Sequence, residues 1–293
     1  MKRIYIVLIL NLIAFCSFGQ KLPDIQTTNL NAPTSIKVDG KLVEWNDNFS
    51  AENKRTEIFY SIANDEKNLY LVLKSASSSN TNKILAGGIT FSVNTQGKKK
   101  EKESFNVTYP LVKRVQGGGR QGQNRQAGQG GQGGFQNRSQ QTPQQRDSAA
   151  LVNRKEQLST VKEIKVGGFK AITDTLISIY NEYGIKAVGS FDAKGTYVYE
   201  LAIPLSLLEL SINDKKEFVY QIKVNGLSTM GFGGGGGNAG RGNGGNFGGN
   251  GGGGGNFGGG ARPGGGGFGG GANSTTDMMS PTDFWGKYTL INK

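Results

Sequence analysis

The sequence predicts an all-β fold: a single antiparallel β-sandwich with one or two short helices and two long, disordered low-complexity loops. Three observations predict it. Runs of roughly four to eight residues rich in Val, Ile, Leu, Tyr and Phe recur between clusters of Gly, Asn, Asp and Lys, the pattern of short strands and turns. Two segments hold almost no aliphatic side chains. Strand signals lie on both sides of each segment, and the final run is too short to fold alone, so it must pair with a strand from before the second segment.

The elements follow in order. Ile36-Lys37-Val38 leads into an Asp39-Gly40 turn. Residues 57–63 and 69–74 read as strands around the polar turn 64–68. Residues 88–93 and 104–109 are two more, separated by the solvated run 98–103. Residues 148–161 read as helical or irregular, and strands follow at 163–166 and 177–180. Residues 185–191 and 197–203 flank Asp192-Ala193-Lys194-Gly195, a hairpin signal. Pro204 ends that strand, and 205–210 reads as one short helical turn. Residues 218–224 form a strand that stops at Asn225-Gly226, and 284–291 is the last.

The two insertions account for the unusual composition. Residues 116–146 contain 11 Gln, 9 Gly and 4 Arg, and residues 231–271 contain 27 Gly in 41 positions. Neither can bury enough apolar surface to offset the entropy of ordering. Loop closure grows only logarithmically with length, so one sandwich tolerates both as loops. The organisation is therefore a signal at 1–19, sandwich at 20–115, an insertion at 116–146, sandwich at 147–230, an insertion at 231–271 and a closing strand within 272–293. The insertions carry six arginines and no acids, so much of the net charge of +12 belongs to them. Gly119-Arg120, Gly240-Arg241-Gly242 and Ala261-Arg262 are too sparse for an RNA-binding segment, and no nucleic-acid partner is expected.

Lys2 and Arg3 precede an apolar run of 12 residues, 4–15, broken only by Asn11. That run is short of the ~20 residues needed to span a bilayer. Ser17-Phe18-Gly19 offers a cleavage site before Gln20, while the bulky Phe15 before Cys16 argues against lipidation. The mature chain is expected outside the cytoplasm, in the periplasm, on the cell surface or secreted, with no transmembrane segment. The 293 residues include no histidine and one cysteine, Cys16. That excludes a Ser-His-Asp triad, a Cys-His pair and a histidine-ligated zinc, and leaves no disulfide once the signal is removed.

Three motifs carry a family resemblance. The first is Ile36-Lys37-Val38-Asp39-Gly40-Lys41-Leu42-Val43-Glu44-Trp45. The second is Asp65-Glu66-Lys67-Asn68-Leu69-Tyr70, closing a hairpin, and the third is Tyr199-Glu200-Leu201-Ala202-Ile203-Pro204. In this order they resemble the family 9 carbohydrate-binding-module-like sandwiches, a DOMON-like group of exported bacterial proteins. The resemblance implies a jelly-roll-like sandwich and suggests glycan binding.

Sugar-binding modules stack an aromatic ring on the apolar face of a pyranose, because the ring supplies area at little conformational cost. The resemblance implies a clamp of two tryptophans. Trp45 reads either as a ring plugging the sandwich end or as a platform, and Trp285 as core or ligand-facing. Tyr180 and Tyr183 lie in a loop that mixes rings with polar groups, suited to binding or to a structured turn. Asp39 and Glu44 are hard oxygen donors in turns, and calcium there is possible, although Asp39 equally caps a turn. Glu44 and Glu200 are the acids that a carboxylate-based glycosidase would use, but no spacing pairs them, and an enzyme is not expected. The expected function is non-catalytic recognition of a carbohydrate or cell-envelope polysaccharide. The alternative is a structural or surface interaction protein, in which the sandwich is a scaffold and the Gly/Gln-rich loops make the contacts.

Overall fold

The computed structural model describes residues 21–113, 142–227, 278 and 280–292. The expected signal at 1–19, residues 116–141 of the first insertion and all of the second lie outside the described residues. The strands are β1 (Ala51–Asn53), β2 (Ile58–Asn64), β3 (Asn68–Ser75), β4 (Ile89–Asn94), β5 (Phe105–Tyr109), β6 (Glu163–Gly167), β7 (Leu176–Ser178), β8 (Lys186–Phe191), β9 (Tyr197–Pro204), β10 (Glu217–Val224) and β11 (Thr282–Thr289). Two helices, α1 (Ser78–Gly87) and α2 (Pro143–Ser159), accompany them. The strands form a five-stranded sheet, β1-β2-β3-β9-β8, and a six-stranded sheet, β11-β10-β4-β5-β6-β7. Every pairing of neighbouring strands is antiparallel. The protein is an all-β sandwich.

Period-two alternation decides what each strand buries. In β9, Tyr197, Tyr199, Leu201 and Ile203 face the space between the sheets, where Phe218, Tyr220, Ile222 and Val224 of β10 meet them. Full burial of one such side chain stabilises the fold by roughly 1.5–3 kcal/mol. Several core tyrosines end in hydrogen bonds. Tyr60 Oη and Tyr220 Oη are 3.0 Å apart, and Tyr288 Oη donates to the Leu30 carbonyl. β11 pairs with β10 over eight residues, from Glu217↔Thr289 to Val224↔Thr282.

A strap of irregular chain, residues 21–50, covers the outer face of the five-stranded sheet. Trp45, Phe49 and Ala32 pack there on Ala63, Tyr70, Val72 and Ala202. The strap extends the sheet without being a strand. The Gln26 side chain accepts from the Ile62 N–H at 2.7 Å and donates to the Ile62 carbonyl at 2.8 Å, taking the place of a strand partner beyond the end of β1.

The structure departs from the sequence reading at four places. Residues 36–38 are not a strand but part of the strap, because their partners are outward side chains rather than a free sheet edge. β1 is too short to leave a pattern. α1 lies where the sequence offered no amphipathic stripe; Ser77 caps it by accepting from the Asn80 N–H. α2 begins at Pro143, inside the stretch assigned to the first insertion, because Thr142 and Gln145 form a capping box with proline at the first helical turn. Among the described residues no helix is long and apolar enough to cross a membrane.

Both insertions leave from one end of the sandwich. Ile89 pairs with Tyr109 at the end of β5 and with Val224 at the end of β10. A methyl group added at Gly88 would lie 2.7 Å from the Pro110 carbonyl, and one at Gly87 would lie 2.6 Å from the Gly226 carbonyl. The chain at Pro110 and at Gly226 thus packs against the same C-terminal end of α1.

Of the described glycines, Gly286 leaves the least room for a side chain. Its Cα faces Tyr220 across the β10–β11 pair, and an added Cβ would lie 2.2 Å from the Tyr220 ring. Tyr220 is fully buried and held at its hydroxyl, so the ring cannot retreat. Gly286→Ala is expected to lower stability by about 1–3 kcal/mol in urea denaturation; an unchanged midpoint would mean that the ring yields.

Candidate functional site

The outer face of the six-stranded sheet carries an unusual polar arrangement. Trp285 on β11 lies opposite Gln221 on β10, Gln221 opposite Ser92 on β4, and Ser92 opposite Asn106 on β5. Directly opposed residues of antiparallel strands share a face, so these four form one row, about 14 Å long at the usual strand spacing. Trp285 is half-buried at one end. Ser92 and Gln221 are 0% and 4% exposed.

The rows on either side satisfy themselves. Thr90 and Thr108 join their hydroxyls at 2.8 Å, and Asn225 donates to Thr90 at 2.8 Å. Asn94 donates to the Glu103 carbonyl and accepts from the N–H groups of Gln96 and Lys98. In the middle row, Gln221 Oε1, Ser92 Oγ and Asn106 Oδ1 are all buried without a hydrogen-bond partner. The nitrogen ends of these amides are held. Gln221 Nε2 donates to Asp283 Oδ2 at 2.7 Å, and Asn106 Nδ2 donates to the carbonyls of Glu101 and Ser104. The oxygens are therefore aimed, and they are acceptors.

The β4–β5 connection folds back toward this face. Its short 3-10 turn, Glu101–Glu103, is tied to Lys223 by an ion pair with Glu101. A cleft of about 630 Å³ lined by Lys100, Glu101, Lys102, Glu103 and Asn106 opens at the Asn106 end of the row.

The other sequence candidates lie elsewhere. Trp45 is 8% exposed within the strap's apolar cluster, and its Nε1 donates to Glu200 Oε1 at 3.1 Å. Glu200 Oε2 accepts from the backbone N–H groups of Asp39 and Gly40 at 2.9 and 2.7 Å. Trp45 is thus held as a wedge between strap and sheet. Gly40 has φ of +81° and lies against Ser190, a conformation that favours glycine. Tyr180 is 83% exposed in the β7–β8 connection, where Tyr183 packs partly against the core. β7 and β11 are opposite edges of the six-stranded sheet, about 24 Å apart at normal spacing. Trp285 and Tyr180 therefore share no patch, and no two of Trp45, Trp285 and Tyr180 form a clamp.

The acids proposed for calcium are separated in role. Asp39 Oδ1 accepts from the Lys41 N–H, the turn-capping arrangement. Glu44 Oε2 is buried without a partner. Among the described residues no group of three or more acids, cysteines or histidines stands close enough to hold a metal ion. Asp65 caps the β2–β3 turn, accepting from the N–H groups of Lys67 and Asn68 and from Tyr70 Oη. Burial pushes its carboxyl up, but these bonds together outweigh that and hold it below the usual value. Burial and the bond to Asp65 push Tyr70 up to about 12.

No family model, curated protein or solved structure matches the chain. The sequence had singled out Trp285 in the row but not Gln221, Ser92 or Asn106. Only alternation marked them as outward-facing, and solvent-facing Ser, Asn and Gln are ordinary.

Glu200 gives a pH test. Burial pushes its carboxyl above the ordinary 4.5, and the bonds from Gly40, Asp39 and Trp45 offset this only in part. Folding therefore favours its protonated form. The stability this contributes is fully present below pH 4.5 and is lost as pH rises through the higher folded value. Urea denaturation from pH 4 to neutrality should show wild type losing ground to Glu200→Gln as pH rises; a difference that is flat or moves the other way counts against it. Glu200→Ala leaves three donors without an acceptor, and is expected to cost about 3 kcal/mol.

Proposed function

We propose that the chain is an exported, non-catalytic binding protein of the family 9 carbohydrate-binding-module-like type. It recognises a carbohydrate or cell-envelope polysaccharide on the outer face of its six-stranded sheet. The observation that carries this is Trp285, half-buried at the head of a row of oriented polar side chains. A ring offers the apolar face of a sugar its contact area, while neighbouring amides and hydroxyls meet the equatorial groups. Of Glu44 and Glu200, the two acids most embedded in the family-like motifs, Glu200 has both oxygens occupied by donors, which speaks against it as a hydrolytic acid.

The test is affinity electrophoresis of the mature protein in gels containing individual polysaccharides. Retardation by at least one is expected, with Trp285→Ala losing about 2 kcal/mol, roughly thirtyfold in affinity, at an unchanged unfolding midpoint. Equal retardation of both proteins would rule out Trp285 as the platform.

The scaffold reading has one observation in its favour: the chain leading toward each insertion, at Pro110 and at Gly226, passes the same helix end, Gly87-Gly88. Deleting 116–141 and 231–271 spares the capping box of α2 and separates the readings. Retained glycan retardation favours the binding face, whereas loss of surface association with no glycan bound by either protein favours the loops.

A further inference from the structure

The middle row says more about the ligand than the tryptophan does. Its three free atoms, Gln221 Oε1, Ser92 Oγ and Asn106 Oδ1, stand on adjacent strands in register. A buried polar atom without a partner is costly, and the rows on both sides avoid that cost by pairing internally. Two of the three are amide oxygens, which only accept. The missing partner must therefore bring donors, spaced along a line.

Charge narrows the class. The ionised groups bordering the row are already matched: Lys223 with Glu101, and Asp283 with Gln221 Nε2 and with Arg55 at 3.8 Å. No ion-pair partner stands beside Lys102 or Lys165 among the described residues, but Lys102 is on the β4–β5 turn and Lys165 is on β6, beside Thr108. They lie at the margin of the row.

We propose that Gln221, Ser92 and Asn106 form a line of acceptors for the hydroxyl groups of a neutral saccharide, in preference to a uronic acid or sulfated one, despite the overall charge of +12. This rests on the carbohydrate reading of the same face and specifies which chemistry it takes. Ser92 and Gln221 are closed from solvent, so a ligand reaches them only if the chain over this face moves, beginning with the β4–β5 turn bonded to the adjoining Asn106. The turn is tied to this face by the Lys223–Glu101 ion pair and by the Asn94 and Asn106 amides, which donate to the Glu103, Glu101 and Ser104 carbonyls, so ligand entry must exchange some of these bonds for its own.

The experiment uses the mature full chain in affinity gels containing neutral probes (β-glucan, mannan, xylan, starch) or anionic ones (alginate, heparin, carboxymethylcellulose). Retardation by a neutral probe is expected. Ser92→Ala should weaken it about three- to tenfold with the urea midpoint unchanged or raised, because the substitution removes an unpartnered buried oxygen. A merely structural serine would give the opposite stability result. Gln221→Met should weaken binding at least as much; it also gives up the Asp283 bond, so its midpoint is measured beside it. If wild type binds a neutral probe and Trp285→Ala does not, but Ser92→Ala and Gln221→Met bind like wild type, the acceptor line is overturned and the carbohydrate reading stands. Retardation by anionic probes alone overturns the neutral class. Retardation by none overturns both this inference and the reading beneath it.

Discussion

The carboxylate of Glu200 is the contact on which the outer half of the structure depends. It sits in the middle of β9, at a position where alternation turns it away from the core, and accepts from Asp39, Gly40 and Trp45 of the strap. Three donors converging on one buried anion make a strong, directional joint. The joint brings Trp45 down as a wedge over Ala202 and Val72 and so seals that face of the five-stranded sheet. The first and third family-like motifs are thus two halves of one contact. The second motif has a similar logic, with Asp65 capping its own turn and receiving the Tyr70 hydroxyl. All three describe how a sandwich is fastened, which is why they speak for a fold and say nothing about a ligand.

Sealing one face makes the two outer faces of the sandwich unlike. The five-stranded sheet is covered by 21–50, whereas the six-stranded sheet turns polar side chains outward, with the folded-back β4–β5 turn bonded beside them. The two outer faces differ in chemistry for the same reason. Under the strap the outward positions are Ala63, Val72 and Ala202, whereas on the other sheet they are Thr90, Ser92, Asn106 and Gln221. A row whose neighbours pair internally while its own oxygens do not is a local departure from polar satisfaction, and such departures concentrate where a protein meets a partner.

Ten of the eleven strands were legible as short apolar runs, alternating or continuous, bounded by turn residues, and their observed bounds differ by a residue or two; β1 was not. What was not legible had a physical cause in each case. α1 is a helix by virtue of a serine cap and of burial against other elements, not of an apolar stripe, so Ser78–Gly87 has no periodic signal. Ile36-Lys37-Val38 has strand composition but meets outward side chains instead of an open edge. α2 did announce itself, through Thr142-Pro143 and Gln145, but inside a Gln-rich tract that composition alone assigned to disorder. In the candidate site, Trp285 stood out by residue type, while its three polar neighbours did not.

The sequence by itself determined the sandwich class, the turns at Asp39-Gly40 and Asp65, and the places where two low-complexity segments interrupt the strands, because those features are written in local periodicity and backbone preference. Which aromatic rings are structural and which are available was decided only by tertiary structure. Trp45 and Trp285 both adjoin a glycine or turn in sequence, yet one is wedged onto Glu200 while the other is half-buried on the outer face of the six-stranded sheet. Strand register brought Gln221, Ser92 and Asn106 into line from segments far apart in the chain. Such a line exists only once the strands have paired, since hydrogen-bond register between distant strands, not the composition of any one of them, sets which side chains share a row.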